Sequence, residues 1–160
     1  MKELETLMGF TYLTPAVYRE KATAIEEWLL TQPQAEYSTK QLFLPGVYTR
    51  ELAVYKGTLL SGCVHLEECI TIISKGEIWV SDHNGVKQLK AGDSFVTPAG
   101  MKRIGIAVED TICVTVHKYD GEPLDEDSMK QVIGRDTYAL YDDYLLFKKE
   151  IGLNEEEFSR

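Results

Sequence analysis

The chain has 160 residues, 44% of them apolar and 10% aromatic, which is enough for one domain with a packed core. Its 17 basic and 26 acidic side chains leave a net charge of −9, which repels phosphate backbones and anionic bilayers. No apolar run is long enough to span a bilayer, and the opening MKELETLMGF does not read as a signal peptide, so neither nucleic-acid nor membrane binding is expected.

Thr14 and Pro15 open a helix, a capping hydroxyl followed by proline at the first helical position. Val17, Ala22, Ile25, Trp28 and Leu29 recur at roughly helical spacing as far as Leu30, and Gln32-Pro33-Gln34 ends the element. Residues 1–41 read as an N-terminal helical extension. From Leu42 to about Tyr119 the signals are those of strands, over 47–55, 61–67, 70–74, 77–81, 86–90, 95–97, 101–108 and 111–119. Between them stand turn signals: Lys56-Gly57, Gly76, Asp82-His83-Asn84-Gly85, Ala91-Gly92-Asp93, Pro98-Ala99-Gly100 and Glu109-Asp110. Short strands with Gly-rich turns predict a sandwich or closed barrel over 42–120, not alternating βαβ units.

After Asp120-Gly121 the texture turns acidic and helical, and 121–160 reads as a C-terminal helical extension. Leu140, Tyr144, Phe147 and Ile151 form one stripe of a helix that Asp136 could cap and Gly152 could end. That stripe must dock, on its own barrel or on a second copy, and a homodimer is expected.

The chemistry-bearing residues fall in two punctuated halves of the barrel. The first runs Gly57, Cys63, His65, Cys69, Gly76; the second runs Gly92, Pro98, Gly100, with Arg103 beyond. Polar side chains are costly to bury without a partner, so a barrel that aims them inward is built to bind something. Three cysteines, an odd number, fit a reducing compartment, and a cytoplasmic location is expected.

This pattern resembles the cupin superfamily, whose fold is a double-stranded β-helix or jelly-roll barrel. The first family motif is glycine, His-x-His, a glutamate and a second glycine; counted back from Gly76, Cys69 takes the glutamate position, with His65 and Cys63 at the histidines. The second is glycine, Pro-x-Gly, a histidine and an asparagine; Gly92, Pro98 and Gly100 match without a gap, with Arg103 and Ala107 at the last two positions. The chain also looks like the compact single-domain cupin-like proteins of tailed phages. The resemblance implies a metal site, but only His65 survives of its usual ligands.

Read as residues, Cys63, His65 and Cys69 could jointly bind Zn²⁺ or Fe²⁺, or could be small wall residues beside a hydrogen-bonding histidine. Arg103 presents a planar fork for carboxylate or phosphate, or else an ion pair to Glu67, Glu68, Glu77 or Asp93. His117 shares a strand face with Thr111, Cys113, Thr115 and Tyr119, opposite Ile112, Val114 and Val116. The apolar-inside rule turns His117 outward, whereas an inward polar face would pair it with His65. Trp79 and Tyr48 could stack on a ring-shaped ligand or belong to the core. The expected function is therefore binding of a small polar or anionic metabolite inside the barrel. A metal-dependent enzyme of dioxygenase or isomerase type, using Cys63, His65 and Cys69, is one alternative. A structural or protein-interaction module with an apolar interior is the other.

Overall fold

The Thr14 hydroxyl accepts a hydrogen bond from the Val17 N–H at 3.4 Å, and α1 (Pro15–Leu30) begins as the sequence predicts. The computed structural model describes residue 9 and residues 12–158, with side chains as far as residue 152. The buried face of α1 is the expected one in part, since Ala22 is buried and Ile25 packs on the core, but it turns to include Tyr18. Tyr18 and Ala22 are fully buried, whereas Val17 and Trp28 remain exposed. Tyr18 can go inside because its hydroxyl finds partners there, donating to the Lys102 carbonyl at 2.7 Å and meeting the Ser81 hydroxyl at 2.9 Å.

The strands are β1 (Tyr37–Leu44), β2 (Gly46–Val54), β3 (Leu59–Ser61), β4 (Val64–His65), β5 (Cys69–Lys75), β6 (Glu77–Asp82), β7 (Gly85–Lys90), β8 (Ser94–Thr97), β9 (Ile104–Ala107) and β10 (Thr111–Tyr119). One antiparallel sheet has the order β1-β2-β10-β5-β8 and another the order β3-β9-β6-β7. Without its edge strand β1, this is the interleaved order of an eight-stranded jelly roll. The sheet starts at Tyr37, not at Leu42. β1 pairs with β2 along its whole length, Tyr37↔Val54 to Leu44↔Val47, but its first half is polar and carries no alternation to reveal it. The expected strand over 61–67 is also interrupted, because β3 ends at Ser61 and β4 holds two residues. At the turn from β5 to β6, Gly76 has a φ of +79°, and a Cβ there would strike the Asp110 carbonyl.

The last segment is not a detached helical extension. It comprises α2 (Glu126–Ile133), β11 (Gly134–Arg135) and α3 (Tyr138–Phe158). β11 pairs with β4, Gly134↔His65 and Arg135↔Val64, which ties this segment to the barrel. Thr137 rather than Asp136 caps α3, accepting from the Leu140 N–H at 3.2 Å, and α3 continues past Gly152. Nor is the expected stripe the buried one: Tyr138 and Tyr141 are buried, while Leu140, Phe147 and Ile151 are exposed.

Two cores result. Tyr18, Ala22, Val64, Ile104, Ile106 and Tyr138 pack where α1 and α3 cover the outer face of the four-stranded sheet. Buried Lys102 locks this layer, its ammonium bonded to the Glu26 carboxylate and the Asp136 carbonyl. Between the sheets, Ile73, Ile78 and Val80 pack with Leu60, Leu89, Phe95 and Cys113. That second core fills one end of the barrel with apolar side chains and leaves the other end for polar ones. No helix among the described residues is long and apolar enough to cross a membrane.

Candidate metal and ligand site

Cross-strand register defines the polar end. Cys113 faces the core between the sheets, and two residues on each time, Thr115 and His117 share its face. The expected orientation is therefore reversed. His117 is buried at 7% exposure, and Ile112, Val114 and Val116 lie on the outer face of the sheet. The apolar-inside rule fails here because the interior at this end is built from rings and cations. The His117 ring stacks on Tyr48 at 5.7 Å and on His65 at 5.9 Å.

β4 supplies His65, and β5 supplies buried Cys69, opposite Thr97 of β8. The His65 Nδ1 and Cys69 Sγ atoms are 3.6 Å apart, and one donor atom each from His65, Cys69 and His117 lies within 4.8 Å of the others. His117 Nε2 is buried with no hydrogen-bond partner. Cys63, expected in this set, is replaced in it by His117. The Cys63 thiol lies instead against Gly134 of β11, so close that a Cβ on residue 134 would collide with it.

Burial, reinforced by the Arg103 charge, lowers the His65 pKa to about 4. Burial, with His65 and Arg50 adding to it, lowers that of His117 to about 4 as well. Both imidazoles are therefore neutral at pH 7; His65 Nδ1 meets the Cys69 thiol, and His117 Nε2 has no partner. Burial, with neighbouring Cys63 adding to it, pushes the Cys69 thiol up to about 11. Burial likewise raises Cys63. A metal ion would displace the Cys69 proton, since the thiolate is the ligand form.

Arg103 points inward, as the spacing from Gly92 through Gly100 implies. Its guanidinium lies 4.9 Å over the Phe95 ring and donates at 3.4 Å to the Thr97 hydroxyl and the Ser81 carbonyl. Its acidic neighbour is Asp82 at 3.7 Å, not Glu67, Glu68, Glu77 or Asp93. Asp82 makes shorter contacts elsewhere, with Lys87 at 2.8 Å and the Asn84 N–H at 2.7 Å. Tyr48 is fully buried beside the site, its hydroxyl donating to Gln41 at 2.7 Å. Trp79 is not in the interior. It packs with the outer core under α1 and donates to the Glu77 carboxylate at 3.1 Å. Sequence reasoning missed Arg50, whose β2 position opposite Thr115 faces the interior. A cavity of about 350 Å³, lined by His117, Leu66, Glu67, Glu68, Tyr119 and Ile133, opens at this end.

The interleaved strand order decides the architecture. The chain has an eight-stranded jelly-roll barrel. No family model and no curated protein matches the sequence. Among solved structures, an RmlC-like cupin from Shewanella frigidimarina is 20% identical, with a TM-score of 0.48, covering 61% of this chain and 85% of its own. KdgF from a Halomonas species is 17% identical, with a TM-score of 0.47, over 61% and 86%. A salicylate 1,2-dioxygenase from Pseudaminobacter salicylatoxidans is 14% identical, with a TM-score of 0.47, over 61% of this chain and 31% of its own. In this barrel the cluster of His65, Cys69 and His117 takes one member, His117, from the last long strand, β10.

Proposed function

We propose that the barrel holds a zinc or iron ion at His65, Cys69 and His117 and binds a small anionic metabolite beside it. The observation that carries this is three soft donors within 4.8 Å of one another, in an interior where His117 Nε2 has no partner. Leaving such an atom buried and unpaired costs about 1–3 kcal/mol, so a bound group that engages it is favoured. Thiolate with imidazole is the donor set that selects these ions. When bound, such an ion supplies a Lewis acid in a site with an open position.

The protein's own groups do the rest. Burial keeps both imidazoles neutral, so at pH 7 the proton that the ion must displace is that of the Cys69 thiol. Thr97 and Phe95 position Arg103, whose fork takes an anionic group at the ion's side. The apolar packing of Ile73, Ile78 and Val80 closes the floor, so the occupied volume is the polar end alone.

The test is a Co²⁺ titration of metal-free protein, followed by thiolate charge-transfer absorption. One ion per chain is expected, with the signal lost in Cys69→Ser and His117→Ala and kept in Cys63→Ser. A signal that survives His117→Ala, or none in the wild type, contradicts the assignment.

A further inference from the structure

We infer that the metabolite carries two anionic groups, and that Arg50 holds the second one, across the stacked imidazoles from Arg103. This rests on the reading of Arg103 as an anion-binding group and adds a second point of recognition to it. Arg50 and Tyr48 are successive inward residues of β2, opposite Thr115 and His117 of β10. The Arg50 Nη2 is tied to Glu126 of α2 at 3.1 Å. The Glu126 carboxylate also receives the Thr39 hydroxyl and stands 3.7 Å from Lys130. These contacts pin the guanidinium and leave its Nε–H buried with no acceptor. One inward pair away, His117 Nε2 is orphaned in the same way.

With His117 given to the ion, the Arg50 Nε–H is the unpartnered polar atom of this wall that marks a place for a ligand atom. The donor at Arg50 Nε calls for an acceptor, and a carboxylate or phosphate oxygen is the strongest one available. Arg103 is also positioned yet under-used, since its contacts are long, at 3.4, 3.4 and 3.7 Å. The two cations stand on different walls, Arg103 beside Phe95 and Thr97 of β8 and Arg50 on β2, and the stacked rings of His65 and His117 lie 5.9 Å apart at this end. A monoacid satisfies one guanidinium. A diacid satisfies both.

The probes are malonate, succinate and glutarate, with butyrate as the monoacid, titrated calorimetrically into the zinc-loaded protein. We expect one diacid to bind about tenfold or more tighter than butyrate. Arg50→Gln should bring that diacid down to the butyrate level and leave butyrate itself unchanged. Arg50→Lys, which keeps the ion pair to Glu126 but lacks the Nε–H, should give an intermediate loss and guards against a folding defect. The inference falls if butyrate matches every diacid in the wild type, or if Arg50→Gln weakens both kinds of acid equally. If butyrate binds and Arg103→Gln abolishes it while no diacid gains, this inference alone is overturned. If neither kind of acid binds, the reading of Arg103 falls with it.

Discussion

His65 and His117 set the pH behaviour of this barrel, because both are held neutral by burial. Each has a folded pKa of about 4 against an ordinary value of 6.5, so the unfolded chain binds more protons between those limits. Their contribution to stability is complete above pH 6.5 and is lost as the pH falls towards 4, by up to about 3 kcal/mol for each ring. Urea midpoints at pH 7.5 and 4.5 measure this, and His117→Phe should flatten the difference by removing one of the two groups. An unchanged difference in that variant contradicts a neutral buried His117. Of these groups, His65 and Arg103 were legible in the sequence, because each is fixed by counting from a turn glycine. His117 was not. β10 alternates Thr, Cys and His with Ile and Val, and its outer face is as apolar as many cores, so composition pointed the wrong way. Arg50 carried no motif at all. Only the register that places it beside His117 reveals it.

Among the elements, the short strand β11 holds the C-terminal segment against the site. Gly134 is needed there because of the close approach of Cys63, and Gly134→Ala should cost about 1–3 kcal/mol by overpacking. Chemical denaturation measures it, and a neutral result would mean that β11 can shift without loss. The buried Lys102 bridge joins α1 to the start of α3. Removing its partner by Glu26→Ala strands a cation and should cost about 3–5 kcal/mol, more than Lys102→Met, which removes the charge itself. Equal losses would argue against a charge effect. The sequence showed α1 and most strands clearly, since capping residues and turn glycines are local signals. It did not show β1 or β11, which are held by pairing and not by their own pattern. On α1 the sequence showed Ala22 and Ile25 but not Tyr18, whose burial depends on carbonyl and hydroxyl partners far along the chain.

At the scale of the whole molecule, α1 and α3 cover one sheet, and among the described residues no helix covers the outer face of the other. Val96, Ile70 and Val116 lie side by side across that face, with Ile72 beside Val114 in the next row. Val96 is 57% exposed and Ile70 45%, an unusual concentration for a chain with a net charge of −9. We expect a second copy to cover this face, giving a light-scattering mass of twice the 18.1 kDa of one chain at micromolar concentration. Ile70→Lys with Val96→Lys should return the monomer mass, and a wild-type mass of 18.1 kDa contradicts the expectation. The central claim concerns the barrel's interior, and X-ray absorption of the zinc-loaded protein tests it most directly. One sulfur and two imidazole nitrogens in the zinc shell are predicted, from Cys69, His65 and His117. Two sulfurs and one nitrogen, the set of Cys63, His65 and Cys69, or a shell of oxygens alone, would contradict it.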